Sequence, residues 1–175
     1  MRVAPLTALL LVGGCRIDLQ PAPEVQDAAM VGRNCTKSTS IACMDAEAHS
    51  DFTFIKNTVF PLSCSQSDSC HKASTSSGKL DLSSANAFAA LMGPNGTGGV
   101  MSDVDKSRIL VVPGQPKASY FFFMIHGVAA EDGEPPFTPP PTKIGLMPEN
   151  NGGRAICCQK IDAIERWITA GAMND

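Results

Sequence analysis

The chain has 175 residues, 43% of them hydrophobic, and its 14 basic and 17 acidic side chains leave a net charge of −3. That length suits one compact domain plus a tail and excludes two full domains. The charges are scattered rather than gathered into runs, so the electrostatic footprint of a nucleic-acid binder is missing and no nucleic-acid partner is expected.

Arg2 and the apolar run from Val3 to Val12 read as an export signal, since ten residues are too few to cross a bilayer as a mature helix. Val12-Gly13-Gly14-Cys15 resembles a bacterial lipobox, in which Cys15 becomes the lipid-bearing first residue of the mature chain. A signal cleaved elsewhere, or a buried apolar segment, is the competing reading. Residues 1–15 are thus assigned to the signal and 16–50 to a tether: Gln20-Pro21-Ala22-Pro23-Glu24 has linker composition, and Lys37 to Ser40 is polar without apolar periodicity. His49 falls in this tether and is expected to be solvated. Cys35 and Cys43 either close on each other or clamp the arm to the domain. Anchoring implies a periplasmic or cell-surface lipoprotein, and Arg16, in place of the aspartate associated with inner-membrane retention in some bacteria, favours the outer membrane.

A domain is expected over 51–175. Asp51 can cap a helix with Phe52, Ile55, Val59 and Phe60 on one face, ending near Pro61 and delivering the chain to Cys64. Five residues then separate Cys64 from Cys70, which His71 follows directly. Three chemistries compete for this motif. In covalently bound haem two cysteine sulfurs add to vinyl groups and the adjacent histidine ligates iron, usually with a spacer of two. Alternatively the pair closes a small serine-rich disulfide loop with His71 on the surface. Zinc would need a second ligand pair, and none stands downstream at ligand spacing.

A second helix is expected from a Ser83 or Ser84 cap through Phe88, Leu91 and Met92 to Gly93-Pro94, and Ile109 to Val112 as an extended piece broken by Pro113-Gly114. Pro116 suits the first turn of a third helix, and Tyr120 to Ile125, apolar all round, predicts burial up to Gly127. Residues 128–152 read as a long loop with six prolines between Pro135 and Pro148. In the last helix Cys157, Ile161, Ile164 and Ile168 form one stripe, while Lys160, Asp162, Glu165 and Arg166 are assigned to the polar side, with Asp162 and Arg166 able to pair. Cys158 lies about 100° round from Cys157, so these neighbours favour different partners.

Of seven cysteines, setting aside Cys15 leaves six, and setting aside Cys64 and Cys70 as thioethers leaves Cys35, Cys43, Cys157 and Cys158. Both remainders are even, so haem with two disulfides and three disulfides without haem are equally allowed. One or both of Cys157 and Cys158 are expected to take Cys35 and Cys43, with the pairing open.

In order, these elements resemble the small cytochrome c-like domains of exported proteins in planctomycetes and similar bacteria. The likeness runs over about 51–173: the helix entering Cys64…Cys70-His71, then Gly78-Lys79-Leu80-Asp81-Leu82-Ser83, Val112-Pro113-Gly114-Gln115-Pro116 with Ser119-Tyr120, Leu146-Met147-Pro148, and Ile164-Glu165-Arg166-Trp167-Ile168-Thr169-Ala170-Gly171-Ala172. The resemblance implies an all-α, cytochrome c-like domain with long irregular loops, its first and last helices packed together. It also implies haem c held by Cys64, Cys70 and His71, with His71 and Met147 as iron ligands on opposite faces. A soft thioether suits that role, raising the reduction potential, although a methionine can also simply plug a core. His126 is the rival sixth ligand, or else a complement to its helix dipole. Met92, Met101 and Met124 are read as packing, and Trp167 as structural.

Two functions follow. The first is a lipid-anchored one-electron carrier with covalent haem, an unidentified redox partner and no substrate turnover. The second is a haem-free, disulfide-stabilised envelope module for binding or scaffolding. No Ser/His/Asp constellation, zincin motif or close carboxylate pair supports an enzyme.

Overall fold

The computed structural model describes residues 35–66, 70–72, 79–126, 133, 136, 147–148 and 156–175. These fall in one compact unit, Val31–Asp175. The expected signal with Cys15, the linker up to residue 34 and most of the proline-rich loop lie outside the described residues. Among those described, regular structure is helical, apart from one antiparallel bridge between Met101 and Ile109.

Helix α1 (Ile41–Asp45) runs into a 3-10 turn, Ala46–Ala48. Residues 35–48, grouped with the tether by composition, are held against the C-terminal helix α6 (Cys158–Thr169) by two disulfides, Cys35–Cys158 and Cys43–Cys157. Polar bonds reinforce the staple. The Gln159 carboxamide both donates to Ser38 O (2.7 Å) and accepts from Ser38 N–H (3.2 Å), while Arg166 donates to the carbonyls of Ala46 (2.7 Å) and His49 (2.8 Å). The guanidinium that the sequence made able to pair with Asp162 is engaged with the arm.

Asp51 caps as expected: Oδ1 accepts from Phe54 N–H at 2.7 Å, and Oδ2 meets His49 Nδ1 at 2.7 Å. Burial raises the Asp51 pKa, but the His49 and Phe54 bonds outweigh it and the net shift is downward. His49 is not solvated as expected. Its ring stacks on Phe54 with centroids 4.0 Å apart, leaving it half-buried.

From this cap run α2 (Phe52–Phe54), a π-helical turn (Ile55–Val59) and α3 (Phe60–Ser63). The helix therefore continues past Pro61 instead of ending there. The wide turn restarts the α pattern at Phe60, which puts Pro61 in a first turn where its missing N–H has no partner to lose.

Helix α4 (Ala87–Met92) stops at Gly93 (φ 79°), whose N–H donates to Ala89 O. The caps expected at Ser83 or Ser84 lie a turn earlier: Asp81 Oδ1 accepts from Ser83 N–H, and Asn86 stands before the helix. The loop beyond returns against the Ile109–Val112 segment at Gly98, φ +80°, where an added Cβ would lie 3.0 Å from Val111 O. Pro116–Ala118 makes a 3-10 turn, and α5 (Tyr120–His126) is buried from Tyr120 through Ile125, as its unbroken apolar composition predicts.

The main core gathers Phe52, Phe60, Leu91, Phe121, Ile161 and Ile164 with Trp167. Phe52 packs on Trp167 (centroids 5.0 Å), and the indole N–H donates to Met173 O at 2.8 Å. Trp167 is thus structural, anchoring α6 against the segment that starts at Phe52. A smaller cluster comprises Leu110, Tyr120, Phe123 and Met124, and Leu80 and Met147 pack against both.

Candidate functional site

A cavity of about 690 Å³ opens where the two clusters meet. Its wall takes Leu82, Phe121 and Ile125 from one cluster and Leu110, Tyr120 and Met124 from the other. That volume and apolar lining are typical of a site for one cofactor-sized organic molecule. Three residues singled out in the sequence share this wall: Cys64, His71 and Met147.

Cys64 is the cap residue at the end of α3, fixed by its N–H donating to Phe60 O at 2.8 Å. The long spacer does not carry the motif apart, because His71 N–H donates back to Cys64 O at 3.0 Å and closes the loop. Cys64 is nearly fully buried, and burial, then the Cys70 thiol beside it, push its pKa up to about 12. Cys70 is half-buried, and neither cysteine is in a disulfide.

The ring of His71 is oriented by the chain itself. Its Nδ1 lies 3.2 Å from Leu80 O, and a carbonyl only accepts, so Nδ1 carries the proton. The neutral tautomer then has its lone pair on Nε2. Donation from one ring nitrogen to a backbone carbonyl is the usual arrangement behind a histidine ligand. A second bond, Leu82 N–H to His71 O at 2.8 Å, secures the backbone here.

Met147 reaches the same wall from the proline-rich segment, its N–H donating to Met124 O at 2.7 Å. His126, the rival ligand, packs on Phe122 with centroids 4.8 Å apart and the rings tilted by 41°, and is not among the residues that line the cavity. Of the methionines read as packing, Met92 is buried in the main core, whereas Met124 and Met101 line the cavity and Met101 is 47% exposed. At the rim Lys79, in a left-handed conformation (φ 51°), pairs with Asp103 at 3.8 Å.

Apolar walls, an oriented imidazole, a buried cysteine and a thioether on one cavity suit a covalently attached haem, whereas Cys70, also outside any disulfide, is not among the lining residues. Among the described residues no three His, Cys, Asp or Glu side chains gather into a metal-binding group.

Two contributors escaped the sequence reading. Leu80 acts through its carbonyl, which carries no sequence signal. Lys160, assigned to the polar side of α6, is only 6% exposed, and the signal was present: it precedes Ile164 by four residues and Ile168 by eight, at the edge of the apolar stripe. Comparison with family models, with curated proteins and with solved structures finds no match, so the functional reading rests on the residues and geometry of this site.

Proposed function

We propose that the protein is an exported, lipid-anchored electron carrier of cytochrome c-like architecture, with haem c attached through Cys64 and Cys70. The observation that carries this reading is the convergence of Cys64 and His71, from one motif, with Met147, from the proline-rich segment, on one apolar cavity of about 690 Å³. The other four cysteines described are paired with one another in the staple.

Haem supplies a reversible one-electron couple when bound. The chain's part is attachment, orientation and shielding. Each thiol adds its S–H across a vinyl double bond, so no leaving group is needed. The bond from Nδ1 to Leu80 O makes Nε2 the His71 atom that would hold iron, and Met147 would offer a neutral sulfur as the second ligand. Tyr120, Phe121, Leu110 and Leu82 would give the bound group an apolar wall. With His71 and Met147 as its ligands, the bound group would pass electrons to a partner protein and turn over no substrate. Lipid on Cys15 holds it to a membrane, with an outer-membrane address preferred.

Expression of the full chain with export and cytochrome maturation tests the reading. A Soret band and haem that stays with the polypeptide through denaturing electrophoresis are expected. A colourless, folded product would instead support the haem-free envelope module.

A further inference from the structure

Lys160 is the buried charge that the reading above leaves without a task. It sits on α6 at 6% exposure, its Nζ 3.5 Å from Thr58 O in the π-helical turn, and among the described residues no carboxylate pairs with it. A buried ammonium without a counter-charge is costly, and its stem could pack equally well without the charge. Its electrostatic neighbour is Cys64, which lines the cavity: burial lowers the Lys160 pKa and the Cys64 thiol partly offsets that. The hydrogen bond holds the ammonium on the helical segment that runs on into Cys64, six residues beyond Thr58.

We propose that Lys160 is a positioning residue whose buried positive charge raises the reduction potential of the haem attached at Cys64. This inference rests on the haem reading. Reduction adds one electron, from a one-electron donor, to ferric iron and yields ferrous iron with no bond made or broken. The site's charge falls by one, so a fixed cation in a poorly screening interior favours the reduced form. For a charge on the order of 10 Å away at an effective dielectric near 20, the effect is about tenfold in the ferrous to ferric ratio.

The test is a spectroelectrochemical titration of the full-length holoprotein, wild type against K160M, K160Q and K160R. In K160M and K160Q the ferrous to ferric ratio at a fixed ambient potential should fall about tenfold, with the visible spectrum unchanged, and K160R should stay near wild type. K160Q serves if K160M does not fold. Equal potentials in wild type, K160M and K160Q would overturn the inference and leave Lys160 a purely structural ligand of Thr58 O, while the haem reading stood. Wild-type protein without haem would overturn both.

Discussion

The two ends of α3 and α6 treat cysteine in opposite ways. On the stapled side, Cys35–Cys158 and Cys43–Cys157 join the N-terminal arm to α6, and Gln159 and Arg166 satisfy the arm's backbone. On the cavity side, Cys64 and Cys70 sit beside each other outside any disulfide, next to an oriented histidine and an apolar space. One side uses sulfur for cross-linking and the other keeps it for chemistry. Stability and cofactor binding should therefore separate on mutation.

The largest separation is expected from the staple. Replacing Cys35, Cys43, Cys157 and Cys158 together with serine opens both links, and for the Cys43–Cys157 link alone, between residues 114 apart, loop closure predicts a loss of about 5 kcal/mol in denaturant unfolding. The holoprotein's spectrum should not change. A spectral change of the kind expected from the cavity side would break the contrast.

Alkali probes the cavity side of the haem-free protein. The folded pKa of Cys64 is raised from 9.0 to about 12, so its stabilising effect is complete below pH 9 and is lost as pH rises toward 12. The unfolded chain ionises in that window while the folded one does not. The loss approaches about 4 kcal/mol by linkage, and Cys64→Ala should flatten the curve of stability against pH. In the holoprotein a thioether sulfur does not titrate, and the same window should be flat.

Met147→Leu sharpens the contrast from the other direction. A volume-conserving change costs less than about 1.5 kcal/mol in stability, yet loss of the thioether should lower the reduction potential and alter the visible spectrum. The smallest effect belongs to Asp51→Ala, about 1 kcal/mol from the lost cap. Because the folded pKa of Asp51 is depressed, its contribution is present above its ordinary 3.8 and fades as pH falls below that value, which acid unfolding of wild type and variant will show.

Much of this contrast was legible in the chain. The stripe of Ile161, Ile164 and Ile168, the Asp51 cap and the buried Tyr120–Ile125 segment follow from local periodicity and capping, and all appear where expected. Cys157 and Cys158 do take different partners, although Cys157 is the extended residue before α6 and not part of the helix. What was missed depends on contacts distant in sequence: Arg166 on the Ala46 and His49 carbonyls, Gln159 on Ser38, Lys160 on Thr58. A polar residue at the edge of an apolar stripe reads as solvated until the opposing backbone is known. The tether-like composition of the arm has no apolar periodicity to predict docking, and only its two cysteines pointed to a clamp, which the Cys35–Cys158 and Cys43–Cys157 pairs bear out.

The central claim meets its most direct test in mass spectrometry of the digested mature protein. The peptide spanning Cys64 to His71 should carry the mass of haem on both sulfurs, with the Cys35–Cys158 and Cys43–Cys157 pairs intact. The same peptide lighter by two hydrogens, as a Cys64–Cys70 disulfide without haem, would contradict the account.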